Sequence, residues 1–128
     1  MKILKDYIDI TDDKELETSL RSGLEFYLAN FFTKEGIPKY YPDRIYPVDI
    51  HSCAQAIITL KKLQAFRSDV EDWLDKVVEW TLENMRSQSG YFYFQKYRLY
   101  TNKIRYMRWS QAWMFKALSY YLYNNVVF

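Results

Sequence analysis

The chain has 128 residues, with 18 Lys and Arg against 16 Asp and Glu, 49% hydrophobic and 20% aromatic residues, and only 3 Gly and 3 Pro. That is the size of one domain with apolar side chains enough to bury a core, which excludes a disordered or low-complexity chain. One cysteine, Cys53, and one histidine, His51, exclude an internal disulfide and a Cys/His zinc site, so neither a metal nor a cofactor is expected.

No apolar run approaches the roughly 18 residues that cross a bilayer, and the N-terminus has no signal-peptide pattern. No membrane contact and a cytoplasmic location are therefore expected.

Periodicity places four helices. Leu16, Leu20, Leu24, Tyr27, Leu28 and Phe31 recur at spacings of three and four and predict the first, with Thr11 or Asp12 as its cap and Asp12 and Glu15 in capping-box spacing. The segment Thr33–Pro47 follows, whose three prolines forbid helix and whose Gly36 supplies a left-handed stop. Ile50, Cys53, Ala54, Ile57, Leu60 and Leu63 give the second helix, capped by Asp49 or by Ser52 with Gln55.

Ser68 with Glu71 opens a third helix carrying Val70, Trp73, Leu74, Val77, Val78, Thr81 and Leu82. The aromatic run from Gly90 to Tyr100 favours extended backbone, with Lys103–Tyr106 expected to pair back on it as a short hairpin. A fourth helix is predicted from Tyr106 to Tyr123, apolar all round and so buried on several sides.

Charge is distributed unevenly. Every carboxylate lies at or before Glu83, while Arg86, Lys96, Arg98, Lys103, Arg105, Arg108 and Lys116 follow it. Such a bias suits a polyanion, or pairs the two halves with each other.

The halves also resemble one another. An offset of 54 aligns Leu28 with Leu82, Asn30 with Asn84, Gly36 with Gly90 and Tyr40 with Phe94, and two further residues bring Gln55-Ala56 onto Gln111-Ala112. The repeated unit is helix, Gly-terminated turn, extended loop, helix, over about 12–65 and about 68–124 of one domain spanning 1–128. Stacked helical repeats usually need at least about three units, so homo-oligomerisation or further N-terminal hairpins are expected. The fourth helix offers the expected partner surface.

The strings Tyr46–Ile57 (YPVDIHSCAQAI) and Tyr100–Phe115 (YTNKIRYMRWSQAWMF), each preceded by a Gly-terminated helix, resemble the last two hairpins of bacterial α/α-toroid proteins. Those proteins are similar to the six-hairpin glycosidases and are associated with polysaccharide biosynthesis. The implied fold is all-α, two repeated hairpins of an incomplete α/α toroid with extended or short β-hairpin loops. Some members are labelled delta-aminolevulinic acid dehydratase. That enzyme resembles a TIM barrel, and this chain has neither the length nor the strand–helix alternation, so its chemistry is not implied.

In the superfamily, inner-helix N-termini and the loops before them surround a sugar-binding funnel. By position the resemblance implies Tyr41, Asp43, Arg44, Asp49, His51 and Gln55 in the first hairpin. In the second it implies Tyr97, Arg98, Asn102, Lys103, Arg105, Tyr106, Arg108, Trp109 and Gln111.

Two carboxyl groups flank the bond in most glycosidases, and only Asp43 and Asp49 stand where that is needed. Asp49 serves equally as a helix cap, and Asp43 follows Pro42 as a turn residue would. Asp49 and His51 form the candidate acid–base pair for lyase or epimerase chemistry, against the alternative of a histidine satisfied in the core. Cys53 falls on the apolar stripe as a small core residue. Tyr91, Tyr93, Tyr97, Tyr100, Tyr106 and Trp109 are suited to stack on sugar rings while Arg98, Lys103 and Arg108 hold acidic groups, or to fill the space between hairpins.

The expectation is a carbohydrate-associated domain whose partner is a saccharide or acidic polysaccharide, with doubtful activity by itself. The alternatives are a noncatalytic assembly module and, less favoured, a nucleic-acid binder acting through the basic segment.

Overall fold

A computed structural model describes residues 1–123; the expected end of the second repeat at position 124 lies outside them. These residues are mostly helical, with five α-helices and one small sheet: α1 (Lys2–Thr11), α2 (Lys14–Phe31), β1 (Val48–Asp49), α3 (Ile50–Leu63), α4 (Val70–Asn84), β2 (Gln95–Lys96), β3 (Thr101–Asn102) and α5 (Trp113–Leu122). A π-helical segment, Met107–Ala112, leads into α5. Among these residues no helix is long and apolar enough to cross a membrane.

The core is built round α3, whose Ile50, Cys53, Ala54, Ala56, Ile57, Ile58, Leu60 and Leu63 are all buried. Small residues at 53, 54 and 56 let α4 and α5 approach it closely, and α1 lies against it as well. Leu20, Leu24 and Leu28 of α2 join this cluster, with Val70, Leu74 and Val77 of α4 and Met114 and Ala117 of α5. Removing any of these leucines to Ala exposes the cost of an unfilled core, about 2–5 kcal/mol.

Helix starts follow local hydrogen bonding and differ from the expected ones. Asp13, one residue past the expected cap, accepts the Glu15 and Leu16 amides at 3.1 and 3.2 Å and starts α2. Asp12 instead takes a left-handed conformation (φ 54°) that ends α1, a helix the apolar spacing did not reveal. Asp49 caps α3 as expected, accepting the His51 amide at 2.8 Å. The Ser68 start is corrected: α4 begins at Val70, and neighbouring Asp69 is held by Arg67 through two 2.6 Å bonds, so its carboxylate caps nothing. That ion pair holds the Asp69 carboxyl below the usual range.

The sheet has order β1-β2-β3 with both pairings antiparallel. Val48 faces Lys96 and Asp49 faces Gln95, while Gln95 faces Asn102 and Lys96 faces Thr101. The hairpin therefore closes on Thr101–Asn102 and not on Lys103–Tyr106. The all-α expectation is adjusted accordingly, since β2 stitches the two inter-helix loops together.

The turns after α2 and α4 are built alike. Thr33 and Ser87 hydroxyls each accept an amide four residues on, from Ile37 and Tyr91, at 3.2 Å. Gly36 and Gly90 amides each donate to those same residues' carbonyls at 3.0 Å, with φ of 86° and 90°. Lys39 and Tyr93 donate to Phe31 and Met85 at 2.8 Å, and antiparallel bridges join Phe32 to Pro38 and Arg86 to Phe92. All these partners differ by 54 in number.

Candidate functional site

A cavity of about 570 Å³ opens where the N-terminus of α3 meets the loop before α5, lined by Tyr40, Asp49, His51, Phe94, Tyr106 and Trp109. Each wall has a local cause. β1 delivers Asp49 to the first turn of α3, where its carboxylate meets free backbone N–H groups. Phe94 precedes β2 and packs edge-on against Tyr106, ring centroids 4.7 Å apart. The π-helical segment widens the helix entry; Ser110 and Gln111 both donate to the Tyr106 carbonyl, at 2.9 and 3.2 Å. Trp109 sits within that segment, more than half exposed. π-Helical insertions of this kind recur at functional sites.

A smaller hollow of about 230 Å³ adjoins the first, sharing Tyr40 and His51 and adding Tyr27, Pro38, Lys39, Ser52 and Gln55.

The polar groups are mostly committed. One oxygen of the Asp49 carboxylate takes the His51 amide, and the other accepts Gln95 Nε2 at 2.8 Å. Gln95 in turn accepts the Tyr97 hydroxyl at 2.9 Å, so Tyr97, Gln95 and Asp49 form one relay into the helix N-terminus. Partial desolvation, then neighbouring Tyr100, push the Tyr97 phenol above its ordinary value. The His51 ring stacks against Trp113 (4.7 Å, 35°) and lies 6.1 Å from Trp109. Asp49 thus braces the helix and the sheet, while the imidazole is oriented by indole rings.

Of the residues expected from the sequence, Asp49, His51, Tyr106 and Trp109 meet in the main cavity and Gln55 in the adjoining one. Tyr97 reaches Asp49 only through Gln95. Asp43 stays exposed beside Arg44 (3.7 Å), away from Asp49's cavity, and the Arg44 guanidinium lies over Tyr41 at 4.4 Å. Gln111 clamps the Phe92 backbone, accepting its N–H and donating to its carbonyl, both at 2.8 Å. Asn102 accepts the Ile104 amide and shapes the hairpin. Arg98 is exposed at the hairpin tip beside the stacked Tyr97–Tyr100 pair (4.5 Å, 9°), and Arg108 is exposed on the π-helical segment.

Lys103 and Arg105 form a separate ladder over Tyr93 and Tyr91, at 5.4 and 4.1 Å. Tyr40, Phe94 and Gln95 were not among the expected site residues, although the pairing of Tyr40 with Phe94 at offset 54 was already a signal. Gln95 carries none, because its role depends on a strand partner 46 residues away.

Cys53 is fully buried in α3, and burial pushes its thiol up to about 12. It is no nucleophile at neutral pH. Among the described residues no three His, Cys, Asp or Glu side chains stand close enough to hold a metal ion. Chemically, the cavity offers ring faces, one exposed indole, an imidazole and phenol hydroxyls.

No protein-family model matches this chain, and neither a curated protein nor a solved structure is found to match it.

Proposed function

We propose that this chain is a carbohydrate-associated domain resembling the C-terminal part of a polysaccharide-processing α/α-toroid protein, cytoplasmic in location, and that a saccharide lies in the aromatic cavity. The finer fold reading belongs to the same proposal: α2–α3 and α4–α5 are two copies of one hairpin, as their matched turns support.

The observation that carries the reading is the cavity lining. Tyr40, Phe94, Tyr106, Trp109 and His51 present ring faces around a single carboxylate whose oxygens already hold hydrogen bonds. Aromatic faces pack against the apolar C–H faces of a pyranose, and phenol hydroxyls and the imidazole supply its directional contacts. The Lys103–Tyr93 and Arg105–Tyr91 pairs give acidic saccharides a cationic approach.

The arrangement favours binding over hydrolysis. Among the described residues no second carboxyl group at glycosidase spacing lines the cavity, and Asp43 stands outside it. His51 is the imidazole among the described lining residues.

Titration with neutral and uronic-acid oligosaccharides is expected to quench Trp109 fluorescence, with the response lost in Trp109→Phe and weakened about tenfold or more in Tyr40→Ala. A broad panel producing no response, or a response unchanged in both variants, overturns the reading. Nucleic-acid binding with a steep salt dependence would favour the polyanion alternative.

A further inference from the structure

We infer that the tip of the β2–β3 hairpin, Arg98-Leu99-Tyr100, rests on an anionic lipid bilayer, Leu99 entering the acyl boundary while the cations around it meet the headgroups. The inference rests on the tip and not on the saccharide cavity. The expectation of no membrane contact follows from the absence of a spanning run; a contact at the surface needs none.

The tip is tightly closed. The Tyr97 N–H donates to the Tyr100 carbonyl at 2.8 Å, leaving Arg98 and Leu99 as the two turn residues, and the flanking Tyr97 and Tyr100 rings stack. Such turns ordinarily carry Gly, Asn or Asp. Here Leu99 stands 92% exposed, the most exposed large hydrophobic among the described residues, and Tyr100 is 63% exposed. β1 runs antiparallel to β2, so Ile45 and Tyr46, which lead into β1, come in at the end of the sheet where the tip stands. Both are exposed, as are Ile104 and Met107 further along the second loop.

The charge around this apolar apex is of one sign. Residues 98–109 hold four exposed cations, Arg98, Lys103, Arg105 and Arg108, and no carboxylate. Among the described residues none of the four forms an ion pair. Lys103 and Arg105 lie over tyrosine rings, which leaves their charge uncancelled. In the first loop, Asp43 is taken by Arg44 at 3.7 Å, and Asp49 has both oxygens bonded. The two halves of the chain therefore do not neutralise each other here, and the missing counter-charge belongs to a partner.

The apolar residues decide which partner. A soluble polyanion satisfies cations and stacks on tyrosine rings, but it offers no hydrocarbon to Leu99, Ile104 or Met107. An anionic leaflet offers both, with acyl chains directly beneath charged headgroups. Tyrosine suits the boundary between them. One aliphatic apex and a few cations are each weak alone, so the contact is reversible and needs both.

Sedimentation of the whole chain with phosphatidylcholine vesicles, with and without phosphatidylserine, tests this. Binding is expected to be about tenfold or more tighter with phosphatidylserine present, and to weaken as salt rises. Leu99→Ser and Arg98→Glu are each expected to weaken it about tenfold. Far-UV circular dichroism checks the fold, with Leu99→Asn and Arg98→Gln replacing any variant that loses it. An environment-sensitive dye on Leu99→Cys reports entry, since the natural Cys53 is buried and the label falls on the tip. Its emission is expected to shift to the blue on phosphatidylserine vesicles.

No binding to those vesicles, equal binding to phosphatidylcholine alone, binding indifferent to Leu99→Ser, or a dye whose emission does not move overturns the proposal. A single-stranded oligonucleotide or a polyuronate held as tightly as the vesicles, with no loss in Leu99→Ser, assigns the cations to a soluble polyanion and overturns it too. Leu99 is not among the residues lining the cavity, so vesicle binding and oligosaccharide titration fail separately.

Discussion

In the turn after α2, a Cβ added to Gly36 would lie 2.7 Å from Lys76 Cβ and 3.0 Å from the Lys76 carbonyl carbon on α4; in the turn after α4, the space round Gly90 is open. The two glycines share a left-handed backbone and the same hydrogen bonds. Local sequence therefore makes the turn, and position in the fold decides what rests on it. At its glycine the first turn is a packing surface, whereas the second is open there.

Substitution separates these roles. Gly36→Ala combines an unfavourable φ with an overlap on backbone atoms that cannot swing away, and is expected to cost about 3 kcal/mol in a urea melt. Gly90→Ala incurs the backbone term alone, about 1.5 kcal/mol. Equal losses would show that α4 yields at Lys76 and would remove the distinction.

The glutamines sharpen the same comparison. Gln111→Ala strands both polar groups of the Phe92 backbone and is expected to cost about 2 kcal/mol. Its match, exposed Gln55, stands near Pro38, which has no N–H to donate, so Gln55→Ala is expected to stay within about 0.5 kcal/mol.

The smallest effect at neutral pH is electrostatic, and it distinguishes buried Cys53 from exposed Trp109, the residue aligned with it. Burial raises the Cys53 thiol from 9.0 to about 12 in the folded chain. The folded state thus holds the proton more tightly, and this contribution is whole below pH 9 and lost as pH rises from there towards 12. The slope approaches about 1.4 kcal/mol per pH unit. Denaturant melts between about pH 8 and pH 10 are expected to show a decline that Cys53→Ala flattens. Burial, then Cys53, also raise the Tyr27 phenol, whose own decline starts above pH 10.

Much of the helical skeleton was legible because apolar spacing is a direct record of burial. Leu20, Leu24 and Leu28, and Ile50, Cys53, Ala54, Ile57, Leu60 and Leu63, lie inside as their periodicity required. α1 escaped because its apolar positions face outward at Ile3, Tyr7 and Ile10, leaving only Ile8 buried. The Asp12 start failed because Asp13 reached the free amides first, and the Ser68 start failed because α4 begins two residues later, at Val70, with no side-chain cap.

In the candidate site, Asp49, His51, Tyr106 and Trp109, which the resemblance implied by position, line one cavity. Gln95 entered through a strand register that no local pattern encodes, and Gln111 proved to be bonded to the Phe92 backbone.

The two-residue strand β2 has neighbours on both edges, so the cavity's opposite walls are coupled through Val48–Asp49 on one side and Thr101–Asn102 on the other. A guest wedged between the rings would strain or tighten one continuous ribbon. Amide hydrogen exchange at Gln95 and Lys96 would then report occupancy at a distance from the guest, and a stiff ribbon would leave little entropy to be lost on capture.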